Sequence, residues 1–145
     1  HIVAIAGKNE KMKEDFDKLV SQEKAENDVT VLAYTHQVPE LMSISDLVVT
    51  KPGGLTSTES LASGLPMVLI NPIPGQEEEN AEFLEQAGVA IWLKNKDDYD
   101  AIISSLLSDE QKLTKMKINT KLLAKKNSTK DICEVVLRKK QDGVN

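Results

Sequence analysis

The sequence predicts an α/β fold, a doubly wound parallel sheet followed by C-terminal helices, and three observations predict it. Five short runs rich in Val, Ile and Leu are continuously apolar rather than alternating, the pattern of strands covered on both faces. Segments with helical spacing separate the runs, and such strand-helix alternation implies parallel pairing. The length, 145 residues, matches one domain.

The elements follow in order. The first strand is Ile2-Val3-Ala4-Ile5-Ala6. It begins one residue from the N-terminus with no initiator Met, as expected of a piece of a longer polypeptide. Met12, Phe16, Leu19 and Val20 mark the first helix, and residues 29–33 the second strand. Leu41, Met42 and Ile44 mark a helix before the third strand, 47–50. Leu61 and Ala62 lie in the helix before the fourth strand, 67–70, and Ala81, Phe83, Leu84 and Ala87 in the helix before the fifth, 89–92. After Trp92, read as a core residue, the strands stop. Helices are expected over 99–107, 110–125 and 129–140, with Asp97, Asp109 and Ser128 as N-caps. One Rossmann-like domain, 1–145, thus comprises alternating strands and helices over about 2–94 and a helical tail over about 97–140.

Composition narrows the function. Hydrophobic residues make up 40% of the chain but aromatics only 3%, so the core is aliphatic. The net charge of -5 argues against a nucleic-acid partner. No apolar run reaches the roughly 18 residues of a membrane span, and no secretory leader opens the sequence, so an intracellular soluble domain is expected. Cys133 is the one cysteine, which leaves no intrachain disulfide or multi-cysteine zinc site. Ten cationic residues (Lys112, Lys115, Lys117, Lys121, Lys125, Lys126, Lys130, Arg138, Lys139, Lys140) face Asp131 and Glu134 alone between 112 and 140. They form either a solvated helical face or a surface attracted to anionic lipid or a partner.

In an open parallel sheet, ligands bind at the carboxyl ends of strands. The four segments there are Gly7-Lys8-Asn9, Tyr34-Thr35-His36-Gln37, residues 51–59 and residues 71–80, all expected on one sheet edge. In the third, Gly53 and Gly54 allow close backbone approach, while Thr56, Ser57 and Thr58 supply hydroxyls where a helix points its free amides. That suits phosphate, although Pro-Gly-Gly is equally an ordinary turn; it is neither a Walker sequence nor Gly-x-Gly-x-x-Gly. Glu59 suits a ribose diol or simply the helix dipole. In the fourth, Gln76 and Glu77 suit sugar hydroxyls or an acidic helix start. His36 reads as a surface-loop residue, lacking a partner for general-base work.

These loops resemble the C-terminal donor-binding domain of GT-B glycosyltransferases of the monogalactosyldiacylglycerol synthase and processive diacylglycerol glucosyltransferase type, the family 28 C-terminal domain. The resemblance rests on Ala6-Gly7-Lys8-Asn9-Glu10, Tyr34-Thr35 through Asp46, Thr50-Lys51-Pro52-Gly53-Gly54-Leu55-Thr56 to Glu59-Ser60, and Pro74-Gly75-Gln76-Glu77 to Asn80. It implies a UDP-sugar substrate: uracil near Tyr34 and Thr35, ribose on Glu59, and diphosphate at Gly53, Gly54, Thr56 and Ser57. Gly7, Lys8 and Asn9 would line the same cleft, Gln76 and Glu77 would hold and position the hexose, and Asn80 would lie near the phosphates. Where relatives carry Arg after the glycine, Lys8 keeps the charge but loses the fork-shaped contact.

The implied reaction is inverting hexosyl transfer to a membrane lipid, diacylglycerol, at the inner face of the cell membrane. The resemblance implies no cofactor and no metal. The acceptor base would lie in an N-terminal domain this chain lacks, so the chain alone is expected to bind donor and transfer nothing. Alternatives are the donor lobe of a lipid-linked N-acetylglucosaminyltransferase, including a subunit of a split enzyme, an epimerase-like lobe, and a non-catalytic nucleotide-sugar module.

Overall fold

The computed structural model describes residues 1–124. The chain divides into two compact units, His1–Leu41 and Met42–Asn145. All five expected strands are present and every pairing is parallel, but they hydrogen-bond as two ladders, β1–β2 in the first unit and β3–β4–β5 in the second.

In the first unit, β1 (Ile2–Ile5) pairs with β2 (Val29–Leu32), Ile2 opposite Val29 and Ile5 opposite Leu32. Helix α1 (Glu10–Gln22) connects them, its start fixed by Asn9, whose side-chain oxygen accepts from the Met12 amide at 3.0 Å. The apolar spacing of α1 gives it one face toward the ladder, with Phe16 and Val20 half-buried. The expectation of strands covered on both faces fails for β1, where Ile2, Val3 and Ile5 are 62%, 40% and 39% exposed. A two-stranded ladder with one full-length helix inside its unit has too little apolar surface opposite it to cover both faces.

The second unit meets that expectation. Its strands are β3 (Val48–Thr50), β4 (Met67–Leu69) and β5 (Ala90–Trp92), and its helices α3 (Gly54–Ser63), α4 (Gln76–Gln86), α5 (Tyr99–Ser108) and α6 (Glu110–Leu123); α2 (Val38–Ile44) leads in from the first unit. β4 lies between the other two strands and is wholly buried. Met67 and Leu69 pack on one face with Ala81 and Leu84 of α4 and Leu61 of α3, while Val68 packs on the other with Leu106 of α5 and Met116 of α6. Helices thus cover both faces, the doubly wound arrangement, and each buried Leu or Met stabilises by about 1.5–3 kcal/mol. Trp92 is half-buried against the first cluster, as expected of a core residue, with the Lys94 ammonium over its ring.

The caps follow local sequence with one correction. Asp98, not Asp97, caps α5, accepting from the Ala101 amide at 3.0 Å. Asp97 lies one residue too early and closes the preceding turn instead, accepting from the Lys94 amide at 2.6 Å. Asp109 caps α6 as expected, with the Lys112 amide at 2.9 Å. α6 is fastened by Asn119, which donates to the Gly88 carbonyl at 3.0 Å, and by Lys117, paired with Asp46 at 2.7 Å. The helix expected over 129–140, its Ser128 cap, Cys133 and the cationic residues from Lys125 onward lie outside the described residues. Among the described residues, no helix is long and apolar enough to cross a membrane.

Candidate functional site

Each unit carries two of the four expected loops at the carboxyl edge of its ladder. In the first unit, Gly7 leaves β1 in the left-handed region, φ 62°, which an L side chain adopts only with strain. The chain then turns directly into α1. Asn9 is occupied as the α1 cap, so its side-chain oxygen serves that helix first. After β2, Tyr34 is 56% exposed, with the Lys8 ammonium 5.4 Å from its ring centroid and the His36 ring edge-on at 4.9 Å. Thr35 folds the same loop by accepting from the Gln37 amide at 3.1 Å. Gly7, Lys8, Ala33 and Tyr34 border an open cleft of about 520 Å³ whose other wall is the polar face of α1. His36 is an exposed loop residue, as the sequence suggested.

In the second unit, β3 and β4 run parallel in register, so the loops after them leave the same edge. The first passes through Pro52 and Gly53 into α3. Gly53 occupies the N-cap position with extended backbone, φ -69° and ψ 146°, and no side chain caps the helix. The earliest intrahelical bond is Ser57 N–H to the Gly53 carbonyl at 3.0 Å, so the amides of Gly54, Leu55 and Thr56 form the open first turn. No acidic residue stands in that turn. Ser57 is 6% exposed, and its hydroxyl has no hydrogen-bond partner among the described residues. Farther along α3, Thr58 and Ser60 donate back to the carbonyls of Gly54 and Thr56, both at 2.8 Å, and Glu59 is exposed.

The second loop ends at Gly75, φ 99° and ψ -121°, a conformation reserved for glycine, and opens α4 with Gln76, Glu77, Glu78 and Glu79. Two of these carboxylates brace the loop. Glu77 Oε2 accepts from the Ile73 amide at 2.7 Å, and Glu78 from the Gly75 amide at 3.3 Å. Gln76 is exposed beside them. Asn80, one turn on, donates from Nδ2 to the Pro52 carbonyl at 3.0 Å and so ties the two loops together.

Gly53, Gly54, Thr56, Ser57, Gln76, Glu77 and Asn80 therefore belong to adjoining segments of one sheet edge. The sequence reading missed the main-chain partners, the Pro52 carbonyl and the Ile73 amide, because no residue type advertises them. The two helix starts differ electrically: α3 presents open amides without an acid, whereas three carboxylates already occupy the positive end of α4. An anion fits the first and neutral hydroxyls fit the second.

Comparison with known proteins gives the chain its relatives. Processive diacylglycerol beta-glucosyltransferases of Bacillus pumilus (strain SAFR-032) and Bacillus subtilis (strain 168) are 40% and 41% identical over 136 and 142 residues. The matches cover 94% and 97% of this chain but 35% and 36% of those proteins, so the chain spans about a third of their length. WaaG, a glycosyltransferase involved in lipopolysaccharide biosynthesis, superposes with a TM-score of 0.68 at 16% identity, over 84% of this chain and 33% of its own. HepE of Anabaena, solved in complex with UDP, gives 0.68 at 19% identity, over 94% and 40%. These likenesses show the fold, that of a lobe of GT-B glycosyltransferases. The family model described as glycosyl transferases group 1 matches residues 2–123, and the chain belongs to that family.

Proposed function

We propose that this chain is the UDP-hexose-binding half of an inverting glycosyltransferase that transfers glucose or galactose to a membrane lipid, diacylglycerol. The observation that carries the reading is the start of α3: three open amides, no acid in the first turn and a buried Ser57 hydroxyl lacking a partner. A diphosphate supplies what that turn lacks, negative charge and acceptor oxygens. The neighbouring α4 start, already carrying carboxylates, suits the uncharged hexose. Gln76 both donates and accepts, and Glu77 Oε1 remains to accept from a sugar hydroxyl while Oε2 holds the Ile73 amide. Glu59 is read as the ribose ligand.

In the first unit, the exposed Tyr34 ring and the Lys8 ammonium suit a flat base and an anion, the roles the resemblance gives them. The acceptor class is supported by the names of the two Bacillus relatives.

In the reaction, an acceptor hydroxyl forms a bond to the anomeric carbon on the face opposite the diphosphate. The carbon–oxygen bond to UDP breaks, and the open amides of α3 receive the charge that develops on the leaving group. The hydroxyl proton passes to a base in an N-terminal acceptor domain. The cationic excess between residues 112 and 140 supports a place at the anionic inner face of the cell membrane.

Calorimetry of the chain with UDP, UDP-glucose, UDP-galactose and UDP-N-acetylglucosamine tests the donor site. Glu59→Ala is expected to weaken all four, and Glu77→Ala to spare UDP while weakening discrimination among the hexoses. A folded chain that binds none of them at millimolar ligand overturns the reading.

A further inference from the structure

Asn80 stands four residues after Gln76 and three after Glu77, so the three side chains rise from one face of α4. The Asn80 carboxamide does not end in solvent: it is half-buried, and Nδ2 donates to the Pro52 carbonyl, 28 residues earlier, at 3.0 Å. Pro52 is buried and immediately precedes the Gly53–Gly54 turn. Neither glycine would meet another atom within 4 Å if it carried a Cβ, so the turn is open on its side-chain face. On the α4 side, Glu77 and Glu78 brace the 73–75 backbone against the same helix start. The bond from Asn80 thus joins the hydroxyl-reading segment to the segment that leads into the open amides of α3.

Resting on the donor-site reading above, we propose that Asn80 is a positioning residue: by holding the Pro52 carbonyl it sets the distance between the sugar-reading face of α4 and the phosphate turn. It thereby couples occupancy of one to order in the other. A donor group is required at this position, because the partner is a carbonyl that can only accept.

Asn80→Asp keeps the size and removes the donor, placing a carboxylate beside the Pro52 carbonyl. Read in high salt, where the added charge is screened, the expected result is UDP affinity within about twofold of the parent and a roughly tenfold loss of affinity for the preferred UDP-hexose, the order of one hydrogen bond. Were Asn80 a direct sugar ligand, the carboxylate would still accept a hydroxyl and hexose binding would persist. Were it a phosphate ligand, UDP and UDP-hexoses would weaken together. Either result overturns the proposal, as does thermal destabilisation with hexose preference unchanged.

A second measurement needs no variant. In the unaltered chain, UDP, which carries no sugar, is expected to slow amide exchange in the first two turns of α4. UDP that binds but leaves those amides unchanged also overturns the proposal, whereas a chain that binds no UDP defeats the donor-site reading beneath it.

Discussion

Ser57→Ala separates what the α3 start does for folding from what it does for a ligand. The Ser57 hydroxyl is buried without a partner, and such a group costs about 1–3 kcal/mol relative to one left in water. Alanine removes that cost and is the better helix former by about 0.5 kcal/mol. Against this stands the lost packing of one oxygen atom, so the ligand-free variant is expected to be about 1 kcal/mol more stable than the parent. For a chain of this length that raises Tm by about 2–4 °C.

With UDP the sign reverses. A hydrogen bond to a charged group contributes about 1.5–3 kcal/mol, so its loss weakens UDP by a factor of about 10 to 150. Urea unfolding followed by circular dichroism, without UDP and with it in excess, reads both quantities in one series. A variant less stable than the parent without ligand, or one that binds UDP as well as the parent, would refute the reasoning.

Two further outcomes test the frame around the site. Gly88→Ala must hold φ 69° and places a Cβ 2.7 Å from Asn119 Nδ2, which donates to the Gly88 carbonyl. About 1–2 kcal/mol of backbone cost plus about 1 kcal/mol for the displaced bond gives a loss of about 2–3 kcal/mol in urea melts. Gly64→Ala, at φ 71° with its nearest atoms at 3.7 Å, should lose the backbone part alone, and equal losses would remove Asn119 from the account. The hydrogen bond and charge of Lys117 hold the Asp46 carboxyl below its ordinary 3.8. A lowered folded value means the pair stabilises above pH 3.8 and loses its effect as pH falls through the folded value. Because the Asp46 side chain is 77% exposed, Lys117→Met should cost only about 0.2–1 kcal/mol at pH 7, less in high salt. A cost that stays constant down to the acid transition would contradict the linkage.

Strands and helices were legible because burial imposes a period. The run 67–70 is apolar without interruption, and its core, β4, is the strand sandwiched between helices on both faces. The same pattern at residues 2–6 misled, since a continuous apolar run reports only that a strand can be covered, and β1 is left largely exposed. Asp97 and Asp98 are alike as caps by type, but the expected start at residue 99 already puts the cap position at Asp98, since the N-cap immediately precedes the first helical residue. At the candidate site, Gly53, Gly54, Gln76 and Glu77 were visible as residue types suited to phosphate and hydroxyls. The bond from Asn80 to the Pro52 carbonyl and that from the Ile73 amide to Glu77 were not, because every residue but proline carries the same main-chain donor and acceptor.

The amino-acid sequence by itself determined the α/β class, the aliphatic core, most element boundaries and the chemical character of each loop, since these depend on local spacing and residue type. Tertiary structure alone decided which helix start stays open to an anion, which carboxylate is spent bracing its own loop and which strand is left uncovered. Those outcomes depend on which segments pack together within each unit, and spacing along the polypeptide does not encode them one residue at a time.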